Sequence, residues 1–132
     1  MGQVVRDSQA MVSGMSPRRA PGLWAFHSLG EAVPDLSQAL ATFREDEGLS
    51  ALLPAEPGAE GAMAQITLDV YSALDGVGLT AAVSDALMQA GIPCNMIAAH
   101  HHDHVFVPEA MADRALDVLN DRAADAAMTT TK

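Results

Sequence analysis

The sequence predicts an α+β protein of two small packed units, each with helices on one face of an antiparallel sheet. Three observations predict it. Residues 66–71 alternate apolar Ile66, Leu68 and Val70 with Thr67, Asp69 and Tyr71, the period of a strand with a defined inner face. The next segment sets Leu79, Ala82, Val83, Ala86, Leu87 and Ala90 on one helical stripe, which Gly91 stops. The strand, helix, strand, strand order of that half is repeated more faintly by residues 23–53.

Residues 1–22 carry Ser13-Gly14, Ser16-Pro17 and Pro21-Gly22 with no sustained period, and are expected as a mobile leader without chemistry. Residues 23–29 put Trp24 and Phe26 on one face and Leu23 and Ala25 on the other, a short strand buried on its aromatic side and ended by Gly30. Val33, Leu36 and Leu40 lie at helical spacing in residues 31–40, where Pro34 limits the helix to one or two turns. Residues 41–45 and 49–53 then flank the turn cluster Asp46-Glu47-Gly48 as two strands. Residues 54–64, rich in Ala, Gly, Glu and Pro, read as a linker.

In the second half the strand at 66–71 leads through Asp75-Gly76-Val77-Gly78 to the helix at 79–90. Residues 94–99 and 105–107 follow as hairpin arms around the histidines, and Pro108-Glu109 opens a last helix that buries Ala112, Ala115, Leu116 and Leu119. The organisation expected is a leader at 1–22, a partial first unit with linker at 23–61, a second unit at 62–124 and a frayed tail at 125–132. Neither half holds enough core to stand alone, so the halves are expected to pack side by side or exchange a strand.

Composition narrows the function. With 49% apolar residues and few aromatics (Trp24, Phe26, Phe43, Tyr71 and Phe106), the core must come from Ala, Leu, Val, Ile and Met, and no large aromatic ligand cage is expected. A net charge of −10, with Arg18-Arg19 as the basic pair, argues against nucleic acid as a main partner. One cysteine, Cys94, excludes an internal disulfide framework. No apolar run approaches the ~18 residues of a membrane span, and no secretory signal is seen, so a soluble cytoplasmic protein is expected.

The chemistry-bearing residues gather in two places. Gly76 and Gly78 free the backbone of a turn at a helix start, where main-chain N–H groups and the helix dipole suit an anion. Asp75 could accept from an amino group there, and Thr80 could cap the helix or donate to a ligand; equally, Asp75 and the two glycines could simply build a tight turn. Ala81 stands where a dinucleotide-binding Gly-x-Gly-x-x-Gly would place its third glycine, and no cofactor is expected. Asn95, near a strand start, offers a donor and an acceptor to a ligand or to its own turn. Cys94 beside it reads as a small buried hydrophobe rather than a nucleophile.

The second place is His100-His101-His102-Asp103-His104. On an uninterrupted strand His100, His102 and His104 would share a face and could hold a metal; in a hairpin, His101 to Asp103 become the turn and that face is lost. No metal is therefore assigned, although the three histidines stay as candidates. Met88, Met96 and Met111 read as core filler, and Arg44-Glu45-Asp46-Glu47 as a solvated turn. No nucleophile with its base and no spaced acidic pair suggests an enzyme.

Residues 74–97, with the turn Asp75-Gly76-Val77-Gly78, the helix ending Ala90-Gly91-Ile92 and the strand opened by Asn95, resemble the ACT domain, the amino-acid-binding regulatory module of aspartokinases. Together with Phe43 to Leu49, Gly78 to Ser84 and His101 to Pro108, they are similar to a bacterial family of free-standing tandem ACT-like proteins of unknown function. The resemblance covers roughly residues 23–120. It implies two ferredoxin-like units, βαββαβ variants, that bind an amino acid without catalysis; a homodimer is expected, and a ligand-free interaction module whose exposed sheet edges pair with a partner stays open beside this reading. The ligand would lie at Ser72, Asp75, Gly76, Val77, Gly78, Leu79 and Thr80, and at Asn95, Met96 and Ile97. One departure is visible: residues 123–132 do not alternate, so the second unit shows no final strand of its own and could borrow one from the first.

Overall fold

The computed structural model describes residues 4–30 and 35–130, with Thr129 and Thr130 by backbone alone. Its central strand is β4, Met63–Leu68, whose six residues are all buried. Ala64, Ile66 and Leu68 face a helical layer, while Met63, Gln65 and Thr67 face the other way, as period two requires. The strand ends earlier than its alternation suggests. Asp69 N donates to Met15 O at 2.7 Å and Val5 N to Tyr71 O at 2.7 Å, so residues 69–71 are tied to the N-terminal segment instead of a sheet neighbour.

The other strands are β1 (Pro17–Gly30), β2 (Ala41–Glu45), β3 (Gly48–Pro54), β5 (Asn95–Ala98) and β6 (Asp103–Pro108). They form one antiparallel sheet in the order β2-β3-β1-β4-β6-β5. Three helices, α1 (Ser8–Ser13), α2 (Leu79–Gln89) and α3 (Ala112–Thr130), cover one face, α3 being led by a single 3-10 turn at Glu109–Met111. Met11, Met15, Ile66, Leu68, Val83, Leu87, Val105, Val107 and Leu119 make the core there, each at most 1% exposed. No described helix is long and apolar enough to cross a membrane.

β1 serves two neighbours. Its first half pairs with β4, from Pro17↔Leu68 to Trp24↔Met63, and its second half with β3, from Trp24↔Pro54 to Gly30↔Leu49. The register with β4 shifts between Arg19 and Leu23, where Pro21 has no N–H to give the ladder. The first half of β1 therefore stands beside β4, on the side away from β6, where a βαββαβ unit holds its fourth strand. The last element described is α3.

Four expectations need correction. Residues 1–22 are not a mobile leader where they are described: Asp7 caps α1 by accepting from Ala10 N at 2.8 Å, and Met11, Val12 and Met15 are 1%, 2% and 0% exposed. A helix of six residues is too short to display a period, so only its tertiary burial reveals it. The tail expected to fray from residue 125 continues α3, with Ala126 buried and its carbonyl bonded by Gln9 Nε2 at 2.9 Å.

The helix expected at 31–40 lies partly outside the described residues, since 31–34 do; residues 35–40 hold a turn, with Ala39 N bonded to Leu36 O at 3.0 Å. Among the described residues the first half thus supplies β1, β2 and β3 without a helix, as an extension of one sheet. The expected pair of units has no counterpart there.

The helix-free face is not flat. Strands β2 and β5 are opposite edges of the sheet, about 24 Å apart if six strands lay flat at ~4.8 Å spacing. Yet Ala41 of β2 and Ile97 of β5 line common cavities, so the sheet curls into a cup. Leu52, Met63 and Phe106 form its small second core, with Trp24, Ala41 and Ile97 packed against them.

Candidate functional site

The glycine turn meets the N-terminal segment, and that contact explains its glycines. Gly78 is the N-cap of α2 at φ +113°, and a Cβ there would lie 2.5 Å from Ser8 Oγ. At Gly76 a Cβ would come within 3.0 Å of Met11 Sδ. Asp75 turns outward to Arg6, whose Nε is 3.0 Å from its carboxylate; that hydrogen bond and charge hold Asp75 below the usual carboxylate range. Val77 is exposed. No side chain caps α2, Thr80 included, and Ala82 N donates to Gly78 O, so the N–H groups of Leu79, Thr80 and Ala81 precede the helical ladder.

A small cavity of about 70 Å³ lies under this turn, lined by Met11, Ser72, Ala73, Leu74, Gly76, Leu79, Thr80, Ala98 and Asp103. Of the residues expected from the sequence it gathers Ser72, Gly76, Leu79 and Thr80. Asp75, Val77 and Gly78 belong to the turn but do not line the cavity. Asn95, Met96 and Ile97 also lie away from it, for a reason of strand geometry. Asn95 and Ile97 sit on the helix-free face, where Asn95 Nδ2 is 3.7 Å from Met63 Sδ, and Met96 packs into the helical core. Ala98 reaches the cavity in their place.

Asp103 is the residue that sequence reasoning missed. It opens β6 on the same face as Val105 and Val107, is 7% exposed, and accepts from Ser72 Oγ at 3.3 Å. Burial pushes its carboxyl above the ordinary range, with the Ser72 hydrogen bond and the nearby histidines pulling the other way. Counting by two back from Val107 would have found it, had the histidines on either side not drawn attention.

Those histidines diverge. His100 and His101 occupy the turn with ring centroids 4.9 Å apart, and His101 lies 5.8 Å from the Tyr71 ring. His102 Nδ1 is 3.4 Å from Val70 O. His104 lies on β6 facing the cup, its Nδ1 3.2 Å from Gln65 Nε2 and 3.1 Å from Thr67 Oγ1. His100, His102 and His104 therefore do not share a face, and among the described residues no group of three ligating side chains could hold a metal ion. Burial lowers the His104 pKa, and burial raises that of the Cys94 thiol, which leaves Cys94 poorly suited to act as a nucleophile.

Residues 62–121 match the family profile of the ACT domain. A Vibrio cholerae protein of unknown function, described as a possible transport protein, is 38% identical; the likeness covers 84% of this chain and 91% of that one, with a TM-score of 0.74. An Agobacterium tumefaciens protein shares the fold at 19% identity and a TM-score of 0.59, over 76% of this chain and 81% of its own. No curated protein matches. ACT domains are in general small-molecule-binding regulatory modules without catalytic activity. With that profile over the second half and the Vibrio protein alike over nearly its whole length, the chain belongs to a family of ACT-like proteins of unknown function.

Proposed function

We propose that this protein is a small-molecule sensor that binds an amino acid, as its zwitterion, between the start of α2 and the start of β6, and performs no chemistry on it. One observation carries the reading: a buried carboxylate, Asp103, shares a cavity with the uncapped N-terminal turn of a helix. The two are the complements of a zwitterion. The ligand's ammonium pairs with Asp103, aided by the Ser72 and Thr80 hydroxyls, and its carboxylate takes the N–H groups of Leu79, Thr80 and Ala81.

The cavity of 70 Å³ is room for about two waters, so an amino acid enters only if the segment covering it gives way. At the turn that segment is held by the exposed Arg6–Asp75 pair, a weak tie, and by the Val5 backbone bonds, while buried Met11 anchors its far end in the core. Ligand and N-terminal segment then compete for one place, and the difference in affinity between the two arrangements is the signal. The reading includes a cytoplasmic homodimer, for which the free edges of β2 and β5 offer backbone to pair.

Calorimetric titration of the full chain with each common amino acid at millimolar concentration tests the proposal. One or a few should bind, and Asp103→Asn should weaken them by roughly 10- to 100-fold by removing a charge-assisted bond. Flat responses to every amino acid would overturn the reading.

A further inference from the structure

The cup on the helix-free face holds a second feature that the ACT site does not use. A cavity of about 170 Å³ is lined by Leu40, Ala41, Gln65, Ile97, Ala99, His104 and Phe106, and a neighbour of about 180 Å³ shares Ala41 and Ile97 with it. Together they exceed the ~300 Å³ at which small-ligand sites begin. Four of the chain's five aromatic residues lie on this face: Phe106 and Trp24 in its core, and Phe26 and Phe43 at the outer cavity, where they are 49% and 72% exposed. The floor is polar, which apolar packing alone does not require. Gln65 and Thr67 are 7% and 3% exposed and are bonded to each other and to His104.

That network fixes the chemistry of the floor. The Gln65 amide nitrogen is a donor, so His104 Nδ1 accepts, and the ring carries its proton on Nε2. Among the described residues Nε2 has no partner, although the ring lines the cavity. No carboxylate and no Lys or Arg lines either cavity. Burial keeps the imidazole uncharged at neutral pH. Arg18, whose charge reaches His104, is itself paired with Asp69 at 2.9 Å, so an ion of either sign would leave water without a free counter-charge.

We propose that this cup is a second binding site, for an uncharged small molecule with a planar apolar body and one hydrogen-bond acceptor, such as a carbonyl oxygen, directed at His104 Nε2. The apolar body lies against Phe106 and Ile97 and extends toward Phe26 and Phe43, while the acceptor takes the Nε2–H of His104. The site is on the opposite face of the sheet from Asp103, and the two are independent.

Benzamide is a fitting probe, with benzoate and benzylamine as charged analogues of the same size. Titration of the isotope-labelled full chain, followed through the His104 imidazole and Gln65 side-chain amide signals, should show saturable millimolar binding of benzamide, the affinity expected of about nine non-hydrogen atoms. Both charged analogues should bind at least about tenfold more weakly. His104→Phe should remove most of the benzamide affinity, and Ala99→Leu, which fills the cavity and spares the floor, should abolish the shifts; either variant suffices if the other does not fold. Absence of saturable shifts at His104 and Gln65, equal binding of the charged analogues, or unchanged binding by a folded variant would each overturn the proposal. So would shifts that track a change in sedimentation, because the cup would then be filled by a second copy of the chain.

Discussion

Asp103 and His104 are neighbours in sequence, yet the pleat sends one to the helical face and the other into the cup. Burial disfavours the charged form of each, and the consequences for stability run in opposite directions. Folded Asp103 holds its proton to higher pH than the unfolded chain does, so stability falls as pH rises from about 3.8 through its raised folded value. Folded His104 gives up its proton at lower pH than the unfolded chain does, so stability falls as pH drops from about 6.5 through its lowered folded value. Asp103→Asn should therefore be more stable than wild type at pH 7 and lose that advantage near pH 3, as denaturant melts at the two pH values would read. A buried carboxylate that costs stability is what the proposed ligand contact would explain. Gly78, by contrast, answers first to packing, since any side chain there strikes Ser8.

At the scale of elements, what the sequence disclosed and what it hid divide by length and by partner. The helix at 79–90 and the hairpin around the histidines were legible because each carries its own period and its own stops, and both stand within a residue or two of expectation. The β2–β3 hairpin was legible from Asp46-Glu47-Gly48 alone. α1 was not, because Met11 and Val12 gain their meaning only from α2 and α3, which lie more than sixty residues away in sequence. Nor was the first half of β1, where Pro21 and Gly22 read as loop and are a register shift in the ladder to β4. Met15→Ala should cost about 2–5 kcal/mol in chemical denaturation, as loss of a fully buried Met does, whereas Met128→Ala should change little at a side chain 73% exposed. A leader without structural role would show no difference between them.

Over the whole molecule, one sheet buries both of its faces, which explains why every residue of β4 is buried where its sequence alternates. The second cover, the curl of β2 and β3 toward β5, is set by twist and long-range pairing, and local pattern does not carry it. For the same reason the candidate site was only half legible: Ser72, Gly76, Leu79 and Thr80 lie near one another in sequence, whereas Asp103 joins them through pairing between β4 and β6. The covering of the turn by residues 5–11 was invisible, because it rests on contacts distant in sequence.

The most direct measurement is a backbone amide map of the full chain titrated with each common amino acid. A binder should shift the amides of Gly76 to Thr80 and of Asp103 saturably, and shift Val5 to Met11 with the same midpoint as their contacts are displaced. Saturable shifts confined to other residues, or none at millimolar concentration, would contradict the account.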